Sequence, residues 1–90
     1  MAKPTRASAF EALADETRRA ILRRLRGGSL SAGEIAASFD LTKPTLSHHF
    51  RVLRESGIVS TRKDGKLLMN TLRREDLEAR FPGLLKAVLR

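Results

Sequence analysis

The 90-residue chain has no cysteine, no tryptophan and no tyrosine, and holds only three prolines and six glycines. Without cysteine there is no disulfide framework, no thiolate metal site and no thiol nucleophile. No apolar run approaches the roughly 20 residues that a membrane-spanning helix needs, so a place in the bilayer is excluded. The opening stretch Met1-Ala2-Lys3-Pro4-Thr5-Arg6 leads into Ala-Ser-Ala-Phe without the roughly 7 to 15 apolar residues of a secretory signal, and the expected address is the cytoplasm. There is no internal repeat and no glycine- or proline-rich linker, so residues 1–90 read as one domain. A chain this small, with no glycine-rich phosphate loop and no grouping of nucleophile, base and orienting residue, is not expected to be an enzyme or to carry a cofactor.

What the chain has is positive charge: 18 Lys and Arg against 10 Asp and Glu, a net +8, on a composition that is 41% hydrophobic and therefore able to build a core. Such a surface attracts polyanions but does not choose among DNA, RNA and anionic lipid. The distribution is uneven. Residues 1–26 carry a net +4, residues 58–72 and 73–90 carry +2 each, and residues 27–57 are neutral. The middle segment must therefore do something other than attract charge in bulk.

Phe10, Leu13 and Ala14 stand at helical spacing within residues 6–14, and Asp15 is placed to cap a second helix over residues 16–26 whose Ile21, Leu22 and Leu25 share a face. Gly27-Gly28 stops it. Ser31-Ala32-Gly33-Glu34 has the form of a capping box, with Ile35, Ala36 and Phe39 giving a third helix about two turns long. Thr42 caps a fourth helix, Pro44 falls in the first turn where no amide hydrogen is missed, Leu46, Phe50 and Leu53 recur at i, i+4 and i+7, and Gly57 ends it. Two capped helices joined by a short turn over residues 31–56 outline a helix-turn-helix. Residues 58–61 and 67–72 are β-prone runs around Asp64-Gly65, a hairpin signal that makes residues 58–72 a wing. A last helix over residues 75–89 aligns Leu77, Phe81, Leu84, Leu85 and Val88, with Pro82-Gly83 predicting a kink or break inside it. The order α-α-α-α-β-β-α is mainly helical with a β-hairpin, a winged helix-turn-helix.

At about 100° per residue, Leu46, Phe50, Leu53 and His49 turn inward on the fourth helix while Pro44, Thr45, Ser47, His48 and Arg51 turn outward. Taken alone these residues fit a solvated face; the capped helix before them and the hairpin after them favour a recognition helix. There the hydroxyls reach base edges or phosphates, Arg51 forks onto guanine or clamps a phosphate, and Lys43 adds a phosphate contact at the helix N-terminus. His49 reads as a packed, hydrogen-bonded residue, and adjacent histidines on a helix diverge too far to chelate one ion, so no metal site is assigned. Arg62, Lys63 and Lys66 flank the hairpin turn, where they reach the DNA backbone or minor groove. Arg19, Arg23, Arg24 and Arg26 read as a solvated face, whereas Arg18 is expected to pack its stem inward and pair its head with a carboxylate.

Three stretches together resemble the arsenic-repressor (ArsR) family of bacterial winged-helix repressors: Leu13-Ala14-Asp15-Glu16-Thr17-Arg18-Arg19-Ala20-Ile21-Leu22, Glu34-Ile35-Ala36, and the run from Leu41-Thr42-Lys43-Pro44-Thr45-Leu46-Ser47-His48-His49-Phe50 through Arg51 to Val59. The Lys-Pro-Thr-Leu-Ser-His-His segment looks most like the subgroup typified by the autorepressor SdpR, which lacks the metal sites of its relatives. The resemblance implies a homodimer packed through the first and last helices, with Phe10, Leu77, Phe81, Leu84, Leu85 and Val88 at the interface unless they serve the protomer's own core. It also implies an inverted-repeat target in double-stranded DNA and repression of transcription. Ser31 and Gly33 stand where metal sensors of the family carry a Cys-x-Cys pair, the last helix has no histidine and only scattered carboxylates such as Asp76 and Glu78, and Met69-Asn70 replace the tyrosine of most relatives. The implied repressor is therefore one without a metal inducer, its small-molecule effector unknown. The alternatives are a metal-responsive repressor using His48 or acidic residues, and a basic winged helix that binds RNA or coats DNA nonspecifically.

Overall fold

In the computed structural model, which describes the backbone of residues 6–90 and the side chains of residues 8–90, helix α1 runs Arg6–Leu13 and helix α2 runs Glu16–Arg24. Most of the N-terminal stretch expected to hold no secretory signal lies outside the described residues. Asp15 separates the helices as an N-cap: its carboxylate accepts from the Arg18 backbone N–H at 2.9 Å, satisfying one of the amides that a helix start leaves without a partner. Ile21, Leu22 and Leu25 are buried at the centre of the core beside Ile35, Leu53, Ile58 and Leu77. A 3-10 turn, Leu25–Gly27, closes α2.

The next element was not visible in the pattern of residues. Leu30–Ser31 forms a short strand, β1, before helix α3, Ala32–Ala36. Ser31 thus ends a strand and caps a helix, with its hydroxyl accepting from the Glu34 N–H at 3.1 Å and the Glu34 carboxylate accepting from the Ser31 N–H at 3.0 Å. Those bonds hold the Glu34 carboxyl below its ordinary value, the Ser31 amide being the largest cause. Helix α3 is shorter than two turns, and residues 37–39 continue it as tight turns. Helix α4, Lys43–Glu55, starts where the Thr42 hydroxyl accepts from the Thr45 N–H. It ends in a Schellman motif, Gly57 N–H to Arg54 carbonyl and Ile58 N–H to Leu53 carbonyl, which sets buried Ile58 beside buried Leu53 and launches the wing.

Strands β2, Val59–Asp64, and β3, Leu67–Leu72, pair antiparallel from Val59↔Leu72 to Asp64↔Leu67. Strand β2 is longer than expected, and the two-residue turn falls one residue later than Asp64-Gly65. Arg62 and Lys63 belong to β2, and only Gly65-Lys66 form the loop. Positive φ is found at Gly65 (63°) and at no non-glycine among the described residues, so glycine occupies the first loop position as in a type II′ turn. Strand β1 adds to the free side of β3, Leu30↔Asn70 and Ser31↔Met69, giving a three-stranded sheet of order β1-β3-β2. Asn70, only 2% exposed, joins all three strands: its Oδ1 accepts from the Thr61 hydroxyl at 3.2 Å, and its amide faces the Leu30 and Leu68 carbonyls at 3.4 Å. A side chain that satisfies its own buried polar atoms in this way stands where the family resemblance leads one to expect tyrosine.

The single last helix is two: α5, Arg74–Arg80, and α6, Leu84–Val88, broken at Pro82-Gly83, where Gly83 takes φ 85° as the residue that opens α6. The observed order is therefore α-α-β-α-α-β-β-α-α. Among the described residues no helix is long and apolar enough to cross a membrane.

Candidate nucleic-acid interface

Leu46, Phe50 and Leu53 anchor one side of α4 in the core. The other side stands in solvent: Lys43, Pro44, Thr45, Ser47, His48 and Arg51 are all exposed. Pro44, Ser47, His48 and Arg51 border a single open hollow of about 320 Å³, and Arg54 completes its wall. The pattern of residues singles out Arg51 but not Arg54, which lies one turn beyond Arg51 and two beyond Ser47 on the same flank and is signalled by its spacing alone.

The groups on this face are poised to donate. Thr42 Oγ1 donates to Thr45 Oγ1 at 2.9 Å, which leaves the Thr45 hydroxyl hydrogen for an outside acceptor. The N-terminus of α4 adds the positive end of the helix dipole beside Lys43. Arg51 lies 3.9 Å from Glu55 in an i, i+4 pair whose partners are both well exposed, a contact weak enough to be exchanged for another anion. No side-chain hydrogen bond or ion pair to another described residue holds Lys43, Arg54, Arg62, Lys63 or Lys66, and all five are exposed.

His49 faces the other way. Its Nδ1 lies 3.3 Å from Arg18 Nη1 and 3.9 Å from Asp15 Oδ1. A guanidinium only donates, so Nδ1 is the acceptor and the ring is neutral with its proton on Nε2. Burial pushes the imidazole pKa down, with the Asp15 carboxylate opposing and Arg18 adding to the fall. His49 thus seats α4 on the α1–α2 junction, while His48, 5.8 Å away ring to ring, remains on the outer face. Among the described residues no group of three or more His, Cys, Asp or Glu is gathered in a way that suits a metal ion.

Arg18 departs from expectation. Its head goes to backbone rather than to a carboxylate: Nε donates to the Ala12 carbonyl at 2.6 Å and Nη2 to that of Glu11 at 3.3 Å. Arg19 Nη1 donates to the Leu13 carbonyl at 2.7 Å. These carbonyls end α1; that of Glu11 also accepts from the Ala14 N–H at 3.3 Å, and those of Ala12 and Leu13 are served by the arginines. Of the four arginines expected on a solvated face, Arg23, Arg24 and Arg26 are exposed and Arg19 is half-buried; Arg26 Nη1 also donates to the Leu89 carbonyl, so Arg19 and Arg26 each tie two parts of the chain together.

The apolar stripe of the last helix also divides. Leu77 and Leu85 are buried within the protomer, so they do not offer surface to a second copy; the broken helix turns them inward. Phe81, Leu84 and Val88 are half-buried, and Phe10, 51% exposed, sets its ring 6.1 Å from that of Phe81 at an interplanar angle of 42°. The exposed apolar face is Phe10, Phe81, Leu84 and Val88.

Residues 13–62 match a family described as a helix-turn-helix domain. The chain is 40% identical over 63 residues to the transcriptional repressor SdpR of Bacillus subtilis, covering 70% of each chain. It superimposes with a TM-score of 0.77 on the crystal structure of an ArsR family transcriptional regulator, 34% identical, covering 90% of this chain and 89% of that one. A TM-score of 0.76 relates it to the homodimeric winged helix-turn-helix DNA-binding domain of Mb0332 from Mycobacterium bovis, 27% identical, over 98% of this chain and 89% of that one. The likeness is to regulators and not to enzymes, and it spans the capped helices, the wing and the C-terminal helices together: this chain belongs to the ArsR family of winged helix-turn-helix transcription regulators.

Proposed function

We propose that the chain is a homodimeric, sequence-specific repressor that occupies an inverted-repeat operator in double-stranded DNA, in the cytoplasm and without a metal inducer. The observation that carries this reading is the outer face of α4, where Lys43, Thr45, Ser47, His48, Arg51 and Arg54 stand exposed over a helix whose opposite side is locked in the core. Thr45, Ser47 and His48 meet base edges, Arg51 reads a guanine or holds a phosphate, and Lys43 with the helix N-terminus takes a phosphate. Pro44 shapes the approach. Arg62, Lys63 and Lys66 carry the wing to the adjacent backbone.

A second copy packs on Phe10, Phe81, Leu84 and Val88, an assembly favoured by the homodimeric relative in Mycobacterium bovis. A two-fold axis there sets the two α4 helices in successive major grooves, about 34 Å apart. Ser31 and Gly33 supply no thiolate, and no effector class is assigned.

The test is competition. A duplex selected from random sequence is expected to outcompete random duplex by at least ~10³. Equal competition by random duplex, or by structured RNA, overturns the repressor reading. Sedimentation at micromolar concentration is expected to give a dimer, and a monomer overturns the assembly. Added zinc is expected to leave operator affinity unchanged.

A further inference from the structure

Leu67 and Leu68, the first two residues of β3, are 54% and 50% exposed. Among the described residues the other large exposed apolar side chains are Phe10, which meets Phe81, and Leu41, which is less exposed. The two leucines are therefore the most exposed pair of neighbouring large hydrophobic residues, and they sit at the tip of the wing. The register places Leu67 opposite Asp64 and Leu68 opposite Lys63, so they project to opposite faces of the hairpin end. Lys66 immediately precedes them, and Arg62 and Lys63 lie across the ladder: three cations and one carboxylate surround two apolar side chains.

Neither leucine contributes a core side chain to the protomer; the buried residues of the hairpin, Val59, Asn70 and Leu72, lie toward its base. A threonine would serve the strand as well. The surroundings also favour one occupant. An apolar tip ringed by cations matches a surface whose walls are anionic and whose floor is apolar, and the DNA minor groove, lined by phosphates with sugars and base edges between, has that form. Leucine is among the side chains with which minor-groove proteins wedge open a base step.

We infer that the wing is an apolar wedge: Leu67 and Leu68 enter the minor groove beside the major groove taken by α4, unstack a base step and bend the DNA, while Arg62, Lys63 and Lys66 hold the flanking phosphates. This deepens the DNA-binding reading proposed above and rests on it. Because pyrimidine–purine steps unstack most easily, duplexes selected by the protein carry TA or CA steps at a fixed distance outside the bases read by α4.

The experiment uses the full chain and a duplex it has selected, end-labelled for energy transfer and carrying 2-aminopurine at the flanking step. The wild-type protein is expected to bend the duplex by roughly 20–90° and to raise 2-aminopurine emission. The variant L67T/L68T is expected to bind about tenfold more weakly, to lose the bend and the emission rise, and to keep its melting temperature and the footprint of α4. L67M/L68M keeps an apolar tip and is expected to keep both signals. Equal bending by L67T/L68T overturns the wedge, as does an unbent duplex with wild-type protein. A fall of L67T/L68T from dimer to monomer in sedimentation also overturns it, by assigning the leucines to a second copy. Failure of the wild-type protein to select any duplex removes the DNA-binding reading itself, and the wedge with it.

Discussion

On α2, the guanidinium groups of Arg18 and Arg19 are closed onto the carbonyls of Glu11, Ala12 and Leu13, and beyond its end Arg26 holds that of Leu89. On α4 and the wing, Lys43, Arg54, Arg62, Lys63 and Lys66 stand in solvent with no such partners among the described residues, and Arg51 has only the distant carboxylate of Glu55. Both regions add to the net +8. They differ in what the charge is already doing. A guanidinium donating to an orphan carbonyl at a helix end completes the fold; an exposed one is available to displace counterions from a phosphate. A charge count alone credits the first region, residues 1–26, with the strongest pull on nucleic acid, and the hydrogen bonds reverse that ranking.

The sharpest test of the contrast is Arg18→Ala. It removes three contacts and leaves the Ala12 carbonyl at the end of α1 without its donor, while that of Glu11 keeps the Ala14 N–H, an expected loss of about 2–3 kcal/mol of stability and roughly 10–20 °C in Tm. Operator affinity of the folded protein stays unchanged. A loss below about 0.5 kcal/mol in denaturant unfolding places Arg18 with the surface charges instead.

Arg51→Ala is the mirror case. Stability is expected to stay within about 0.5 kcal/mol, while operator affinity falls by about 1–3 kcal/mol with relaxed sequence preference. A loss that is the same on every duplex reassigns Arg51 to phosphate.

The two regions were not equally legible in the sequence. Caps are local signals, and Asp15, the Ser31–Glu34 box, Thr42 and Gly57 each act where their spacing put them. The break at Pro82-Gly83 was visible for the same reason. The acceptors of Arg18 and Arg19 are backbone carbonyls, which carry no residue signature, so a carboxylate partner was the natural but mistaken reading. Strand β1 is two residues long, too short for any period, and is a strand only because Met69 and Asn70 lie opposite it. The expected break at Pro82-Gly83 does not by itself say which residues of the stripe from Leu77 to Val88 turn inward. Gly83 resets the rotation, so Leu77 and Leu85 end in the core while Phe81, Leu84 and Val88 pack against its edge half-buried.

The wing sharpens the comparison on the side of exposed charge. Lys63→Ala and Lys66→Ala are each expected to lower the slope of log K against log salt by about 1, with no change in Tm. The corresponding change at Arg19, whose guanidinium is already committed to Leu13, is expected to leave the slope alone and lower Tm. An unchanged slope for both lysines makes them surface residues and reduces the wing to its apolar tip.

The smallest effect tests the point where the two regions meet. His49 belongs to α4 but is held by α2, its Nδ1 accepting from Arg18, and the groups facing it are Asp15, Arg18 and His48. Burial holds its folded pKa below the ordinary imidazole value of 6.5, so the folded protein takes up this proton less readily than the unfolded chain. The stability it contributes is complete above that ordinary value and is lost as pH falls toward the depressed folded one. The Asp15 and Glu34 carboxyls, also depressed, begin to cost stability only below their ordinary values of 3.8 and 4.5, which separates the two windows. Between roughly pH 7 and pH 5 Tm is therefore expected to fall by a few degrees, and His49→Gln, which keeps an acceptor for Arg18 without a titrating ring, is expected to flatten that decline. A decline of the same size in His49→Gln assigns it to another group and detaches α4 from the arginine that seats it.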